Sequence, residues 1–154
     1  MPCSCDESLM RINVGDRRLR ESGLLLLIGS CMRSRYPEIV EEFRQRDGGQ
    51  AVLDVCLEEM HVNHAGFKIA SIIRYSGIRR VTALTVDGSP HCVQLHYVIE
   101  DIKRHFTSDV ETAHYVVERG EVFEISPAAV KRSRHLSKIQ HMLDRQAAGP
   151  RGSK

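Results

Sequence analysis

Short apolar runs, each closed by turn-forming residues, divide the chain into candidate strands. The clearest run, residues 24–28, is apolar at every position and is followed by Gly29. Such a run is typical of a strand at the centre of a parallel sheet, where both faces are covered. By similar criteria we predict strands at residues 51–55, 81–86 and 112–117, and a possible fifth at 122–125, joined to the fourth as a C-terminal hairpin.

Between these runs, apolar residues recur at the three- and four-residue spacing of helices that bury one face. Pro37 and Pro127 suit first helical positions, Ser89 and Ser126 can cap helices, and Gly77 marks a helix end. The predicted inward positions, in chain order, are Ile39, Val40 and Phe43; Ile69, Ile72 and Ile73; Val93, Leu95, Val98, Ile99 and Ile102; and Val130, Leu136, Ile139 and Leu143.

The alternation of strands with such helices predicts βαβ units, and hence a parallel sheet with helices on both faces. Right-handed crossovers leave few arrangements. We therefore predict an α/β fold, a three-layer Rossmann-like or flavodoxin-like sandwich with a mostly parallel sheet of four to five strands in the order 2-1-3-4. We expect a flexible or loosely docked N-terminal arm at residues 1–22, a single α/β domain at 23–145 and a disordered tail at 146–154.

Composition narrows the class of protein. The chain has 154 residues, of which 42% are hydrophobic, and this suits one domain with its own core. A net charge of +2 gives no strong field, and we interpret the basic last helix as a solvated face, so nucleic acid is not an expected partner. Because no run is long enough to span a membrane and no secretory signal is recognisable, we expect a cytoplasmic protein.

Three of the five cysteines occupy equivalent places in the predicted fold. Cys31, Cys56 and Cys92 each follow a predicted parallel strand, and such strand ends share one edge of a sheet. Several imidazoles are placed near the same edge: His91 and His96 flank Cys92, and His61 and His64 begin the helix after the second strand. Thiolates and imidazoles are the ligands of zinc and of iron–sulfur clusters. We therefore predict a metal site of Cys31, Cys56 and Cys92 with His91, His96 or His64, to which Cys3 or Cys5 could add a thiolate.

Other interpretations of these thiols stay open. Cysteine is often a small buried hydrophobe, and the chain has no Cys-x-x-Cys pair. Alternatively, Cys31 or Cys92 could be the nucleophile of a small enzyme whose anionic substrate binds at a helix N-terminus, since Arg33 and Arg35 follow Cys31. A third alternative is a non-catalytic Rossmann-like module that binds a nucleotide or a protein at this edge.

A stretch of about residues 24–105 resembles a known family. The matching features are Cys56, Lys68, Gly77-Ile78, the strand at 81–86, Gly88, Cys92 and His96-Tyr97. In these the chain resembles the delta subunit of methyl-viologen-reducing hydrogenases, and also short ferredoxin-like proteins of anaerobes in which a strand leads into an Asp-Gly-Ser-Pro-His-Cys turn. The delta subunit has more closely grouped cysteines at this turn, so only Cys56 and Cys92 carry over. The resemblance implies an iron–sulfur protein that relays electrons to a redox partner such as a hydrogenase or another oxidoreductase subunit.

Overall fold

A computed structural model describes residues 5–150 of the chain. In this part the strands are β1 (Asp6–Ser8), β2 (Leu24–Gly29), β3 (Ala51–Val55), β4 (Arg80–Val86), β5 (Glu111–Glu118) and β6 (Glu121–Ile125). The helices are α1 (Arg17–Ser22), α2 (Met32–Arg35), α3 (Pro37–Gln45), α4 (Val62–Ser76), α5 (Pro90–His105), α6 (Pro127–Ser133) and α7 (Leu136–Ala147), with a 3₁₀ turn at Arg46–Gly48.

All six strands form one sheet in the order β1-β3-β2-β4-β5-β6. Every neighbouring pair is parallel except β5 and β6, which form an antiparallel hairpin. The four predicted parallel strands are β2, β3, β4 and β5, and their spatial order is the predicted 2-1-3-4. The mostly parallel α/β prediction is therefore confirmed, although the sheet has six strands rather than four to five.

Two apolar layers cover the sheet. Leu25 and Leu27 of β2 pack with α1, α4 and α5, whereas Leu26 and Ile28 pack with α3 on the opposite face. This arrangement explains why the central strand is apolar at every position. The helices α4 and α5 lie very close to each other at Gly66, where an added Cβ would be 2.7 Å from Cγ2 of Val98.

The extra strand comes from the segment that we expected to be an arm. Residues 5–22 are not loosely docked, because β1 pairs with β3 and the side chains of Leu9, Ile12 and Leu19 are buried in the core. These apolar residues are well separated and lie among many charged ones, so they form no recognisable periodic pattern. The short polar strand is also held by Asp6, which forms ion pairs with Arg33 and Arg44.

The core role of this segment leads to a first prediction. Replacing Leu9→Ala removes a fully buried side chain and should lower the free energy of unfolding by about 2–4 kcal/mol. The matched control is Met10→Ala, because Met10 is 41% exposed and should cost less than about 1 kcal/mol. Urea unfolding of both variants measures the difference, and equal losses would show that the segment does not contribute to the core.

The predicted last helix is two helices. Its cap and first turn are as expected, since Ser126 accepts a hydrogen bond from the backbone N–H of Ala129 and Pro127 opens α6. The helix ends at Ser133, whose hydroxyl donates to the Val130 carbonyl at 2.8 Å and so competes with helical backbone bonds. After this break α7 packs chiefly against α6 and buries none of its residues.

The C-terminal end differs from the expected disordered tail over the residues that can be compared. Residues 146 and 147 complete α7, and residues 148–150 are exposed. The rest of the predicted tail, residues 151–154, lies outside the described part of the chain. None of the helices between residues 5 and 150 is long and apolar enough to cross a membrane.

Candidate functional site

A small cavity of about 120 Å³ lies at the carboxyl ends of β2, β3 and β4. The chain leaves β2 towards β3 on one side, and β4 lies on the other side of β2. Ligands of open α/β sheets bind where the strand order reverses in this way. The side chains that line the cavity and can bond a ligand are Ser30, Cys31, Cys56, Glu58, Thr85, Ser89, His91 and Cys92.

The local sequence places all three strand-end cysteines around this cavity. Cys31 is exposed on the turn between β2 and α2, and Cys56 is half-buried directly after β3. Cys92 is half-buried in the first turn of α5. This turn is fixed by Ser89, which accepts a hydrogen bond from the backbone N–H of Cys92 at 3.3 Å. We call this group of residues the cysteine pocket.

Gly29 leaves the space between two of the sulfurs open. A Cβ atom at this residue would lie 3.4 Å from Sγ of Cys92 and 3.9 Å from Sγ of Cys31. The Cγ2 methyl group of Thr85 would lie 4.0 Å from the same point. A glycine at the end of β2 therefore keeps a space that both thiols border.

The environment of Cys92 favours the protonated thiol. Burial raises the pKa of Cys92, and the neighbouring Cys31 and Cys56 raise it further, whereas hydrogen bonding to Ser89 opposes them. Because only the thiolate ligates metals, binding a metal at Cys92 would displace a proton.

The side-chain arrangement is not that of a preformed metal centre. Among residues 5–150, no group of three or more His, Cys, Asp or Glu side chains is positioned to hold a metal ion. His91 does line the cysteine pocket. The thiols and His91 are therefore gathered around one cavity but not drawn into a coordination sphere.

Cys5, the N-terminal cysteine within the described residues, does not line the cysteine pocket. Cys5 is fully buried in the core, and its carbonyl accepts a hydrogen bond from the N–H of Val52 at the start of β3. Cys56 follows the other end of that strand, roughly 13 Å further along at the usual rise per residue. Cys5 is therefore not the extra ligand that we considered, and Cys3 lies outside the described residues.

The histidines at the start of α4 also lie apart from the pocket. His61 caps the helix, because its Nδ1 accepts a hydrogen bond from the N–H of Asn63 at 3.1 Å. His64 is exposed, and its ring centroid is 6.2 Å from that of His61. His64, a predicted ligand, does not line the cysteine pocket with the three thiols.

His96 is buried behind the pocket rather than in it, which corrects its prediction as a ligand. Its Nε2 lies 2.9 Å from Oγ1 of Thr85, and its Nδ1 lies 2.9 Å from Nδ1 of His114. Nε2 of His114 lies 2.7 Å from Oε1 of Glu100, which also accepts a hydrogen bond from Thr112 at 2.7 Å. Both ring nitrogens of His96 are thus occupied by hydrogen bonds.

Burial keeps both histidines of this hydrogen-bonded group neutral. Burial lowers the pKa of His96 to about 3, with His114 contributing in the same direction. Burial also lowers the pKa of His114, against the opposing effect of Glu100. The pKa of Glu100 is lowered, since hydrogen bonds from His114 and Thr112 outweigh its own burial.

The sequence carries a partial signal for this hydrogen-bonded group. His96 and Glu100 are four residues apart, so they lie on one face of α5. Their partner His114 comes from β5 and is brought to them by the pairing of β5 with β4, in which His114 lies opposite Ala83. Without that pairing, the buried histidine pair could not be recognised.

The arginines near Cys31 are held elsewhere. Arg33 forms ion pairs with Asp6 and Asp54, and Nε of Arg33 donates to Asp54 at 3.0 Å. Ser30 donates to the same carboxylate at 2.8 Å. Within the described part of the chain, no lysine or arginine lines the cysteine pocket. The carboxylate that lines the pocket is that of Glu58.

These features define an open, doubly wound α/β domain whose candidate site lies where the strand order reverses. Over residues 17–152 the chain matches the family of Rossmann-like domains, and it belongs to that family. The match begins after β1. No curated protein and no solved structure matches the chain.

Proposed function

We propose that this protein is a cytoplasmic redox accessory protein that binds an iron–sulfur cluster at the cysteine pocket and exchanges electrons with a protein partner. The observation that carries the proposal is the lining of one small cavity by Cys31, Cys56 and Cys92 together with His91. Three thiols and an imidazole are a sufficient ligand set for such a cluster, and also for zinc.

The open space beside Gly29 supports this assignment. Two sulfurs border a point that no atom of Gly29 occupies, at the edge of the sheet where ligands of this fold bind. A cluster would supply one-electron chemistry there. The protein would contribute the thiolates of its cysteines, and the loops that carry these cysteines would have to close around the cluster.

The charge of the pocket argues against an anionic substrate for the cysteine-dependent enzyme. A positive side chain near the reactive thiol would help to bind an anionic substrate, but Arg33 is paired with Asp6 and Asp54. Glu58, by contrast, lines the pocket and would repel an anion. The resemblance to the hydrogenase delta subunit adds support at Cys56 and Cys92 and suggests the class of partner.

Anaerobic purification followed by iron, sulfide and zinc analysis tests the proposal. We expect bound iron and sulfide with visible absorption, and we expect Cys56→Ser and Cys92→Ser each to lower metal retention by about 100-fold or more, because each loses a ligand. Cys5→Ala is the matched control and should retain the metal, since Cys5 is buried away from the pocket.

The possible results separate the alternatives. A colourless protein that stays free of metal after reconstitution with iron and sulfide would contradict the proposal. The non-catalytic Rossmann-like binding module would then be the remaining alternative. Stoichiometric zinc without iron would retain the site but exclude electron transfer. One thiol that is alkylated much faster than the others near neutral pH, with no metal bound, would favour the enzyme.

A further inference from the structure

Two apolar surfaces in residues 5–150 are left uncovered. One is a groove of about 620 Å³ between α4 and α5, which we call the α4–α5 groove, and the other is one side of α7. Five of the eight large apolar side chains that are exposed in this part of the chain lie on these two surfaces, namely Phe67, Phe106, Leu136, Met142 and Leu143. We propose that the two surfaces form one interface, in which α7 of each copy of this chain binds the α4–α5 groove of a second copy.

The α4–α5 groove combines aliphatic side chains that are at least half-buried with two exposed aromatic ones. The aliphatic side chains that line it are Ala70, Val98 and Ile102. Phe67 of α4 also lines the groove and is 79% exposed, and Phe106, directly after α5, lines it and is 73% exposed. Exposed apolar side chains grouped in this way, with aromatic residues among them, are typical of a surface that binds another protein.

The helix α7 has an apolar side of the kind that binds in such a groove. Leu136, Ile139 and Leu143 follow the i, i+3, i+7 spacing of a helix that inserts one face between two others. Leu136 is 78% exposed and Leu143 is 52% exposed. A helix of 12 residues is marginal in water on its own, and α7 buries none of its residues. A surface that covers its apolar side would therefore stabilise α7.

The spacing of the exposed side chains agrees between the two surfaces. The helices α4 and α5 run in the same direction, because each connects two parallel strands of one sheet, and they lie closest where Gly66 meets Val98. Phe67 comes one residue after this contact on α4, and Phe106 comes eight residues after it on α5. The two rings are therefore offset along the groove by seven residues, or about 10.5 Å at the helical rise. The first and last leucines of α7 are also seven residues apart, which gives the same offset of about 10.5 Å.

A second copy of the chain is the occupant that covers both surfaces at once. Within one copy α7 packs chiefly against α6, and none of the residues that line the groove belongs to α7. Every copy carries one groove and one α7, so a two-fold exchange fills both grooves and covers both helices. The five exposed side chains present on the order of 600 Å² of accessible surface per copy, against about 800 Å² per partner in an interface of standard size. This area predicts a weak dimer, with a Kd on the order of 10 µM.

Sedimentation velocity of the metal-free full chain tests the proposal. We expect the wild type to change from monomer to dimer between about 1 and about 100 µM. Leu143→Asp and Phe67→Asp should each raise the Kd at least about 30-fold, because each places a carboxylate in the apolar interface. Leu143→Asp should unfold at the wild-type urea concentration when both are compared at about 1 µM, where both are monomers, since α7 buries none of its residues.

Two variants with the same added charge are matched controls. His141→Asp places a carboxylate on the polar side of α7, and Tyr75→Asp places one on α4 outside the groove, where Tyr75 is 69% exposed. Both should dimerise with the wild-type Kd. A reductant is present throughout, because Cys31 is exposed and could link two copies by a disulfide.

A mixture of the two interface variants identifies the occupant of the groove. Leu143→Asp retains an intact groove and Phe67→Asp retains an intact α7, so one of the two contacts can form between them. The mixture should therefore contain more dimer than either variant alone at the same total concentration. A mixture without this gain would overturn the exchange, and so would a Leu143→Asp protein that dimerises like the wild type. A wild type that stays monomeric at about 100 µM would show that no second copy binds.

Discussion

Gly29→Ala should abolish tight metal binding while leaving the protein folded. The added methyl group would lie 3.4 Å from Sγ of Cys92 and 3.9 Å from Sγ of Cys31, distances of ordinary contact, so the backbone need not move. A metal ligated by both sulfurs must lie about 2.3 Å from each, in the space that the methyl group crowds. We expect the metal affinity to fall by about 100-fold, compared by competition with a chelator of known affinity.

The stability of this variant is the internal control. Alanine in a strand is favoured over glycine by roughly 0.5–1 kcal/mol, so Gly29→Ala should unfold at an equal or higher urea concentration than the wild type. Ser30→Ala is the matched variant, because the Ser30 hydroxyl bonds to Asp54 and its loss adds nothing between the sulfurs. Wild-type affinity in Gly29→Ala would mean that no metal occupies this space.

Acidification should destabilise the metal-free protein from below pH 6.5. In the unfolded chain a histidine takes up a proton near pH 6.5, whereas His96 in the folded protein does so only near pH 3. Between these values the unfolded state binds the additional proton, so stability falls as the pH falls, by about 1.4 kcal/mol per pH unit. From pH 7 to pH 4 this loss amounts to about 3 kcal/mol from His96 alone.

The other two titratable groups of this hydrogen-bonded group, His114 and Glu100, act in the same direction. The lowered pKa of His114 adds to the loss below pH 6.5, and the lowered pKa of Glu100 adds to it once the unfolded carboxyl begins to take up a proton near pH 4.5. Stability is therefore fully present above pH 6.5. Urea unfolding at four pH values from 7 to 4, with a chelator present, measures the slope.

Histidine variants distinguish the contribution of His96 to the pH dependence of stability from general acid denaturation. His96→Gln should lower stability at pH 7 and make the slope between pH 6.5 and 4.5 shallower by about one proton. His105→Gln should keep the wild-type slope, because His105 is exposed at the end of α5. A wild-type slope in His96→Gln would show that His96 is not the buried neutral group.

The hydrophobic pattern was sufficient to place four of the five parallel strands, β2 to β5. The run at residues 51–55 coincides with β3, and right-handed crossovers left few orders for the strands around β2, among them the observed one. The cysteines that follow those strands could be located at one edge for the same reason. These features depend on local sequence and on topology, which a single sequence carries.

Polar interactions between residues far apart in sequence could not be predicted from the hydrophobic pattern. The strand β1 consists of Asp6, Glu7 and Ser8, none of which favours a strand, and it is held by pairing with β3 and by ion pairs of Asp6 with distant arginines. The contact between His96 and His114 likewise depends on the register of β5 beside β4. In both cases the partners are far apart in sequence, and no periodicity links them.

The close approach at Gly66 has a consequence for the rim of the sheet. Because α5 is one continuous helix from Pro90 to His105, its distance from α4 at Val98 helps to determine where its first turn lies. Cys92 is carried on that turn. Gly66 of α4 therefore contributes to the separation of the sulfurs, because it allows α5 to pack so closely. A redesign of the pocket has to include the contact between these two helices.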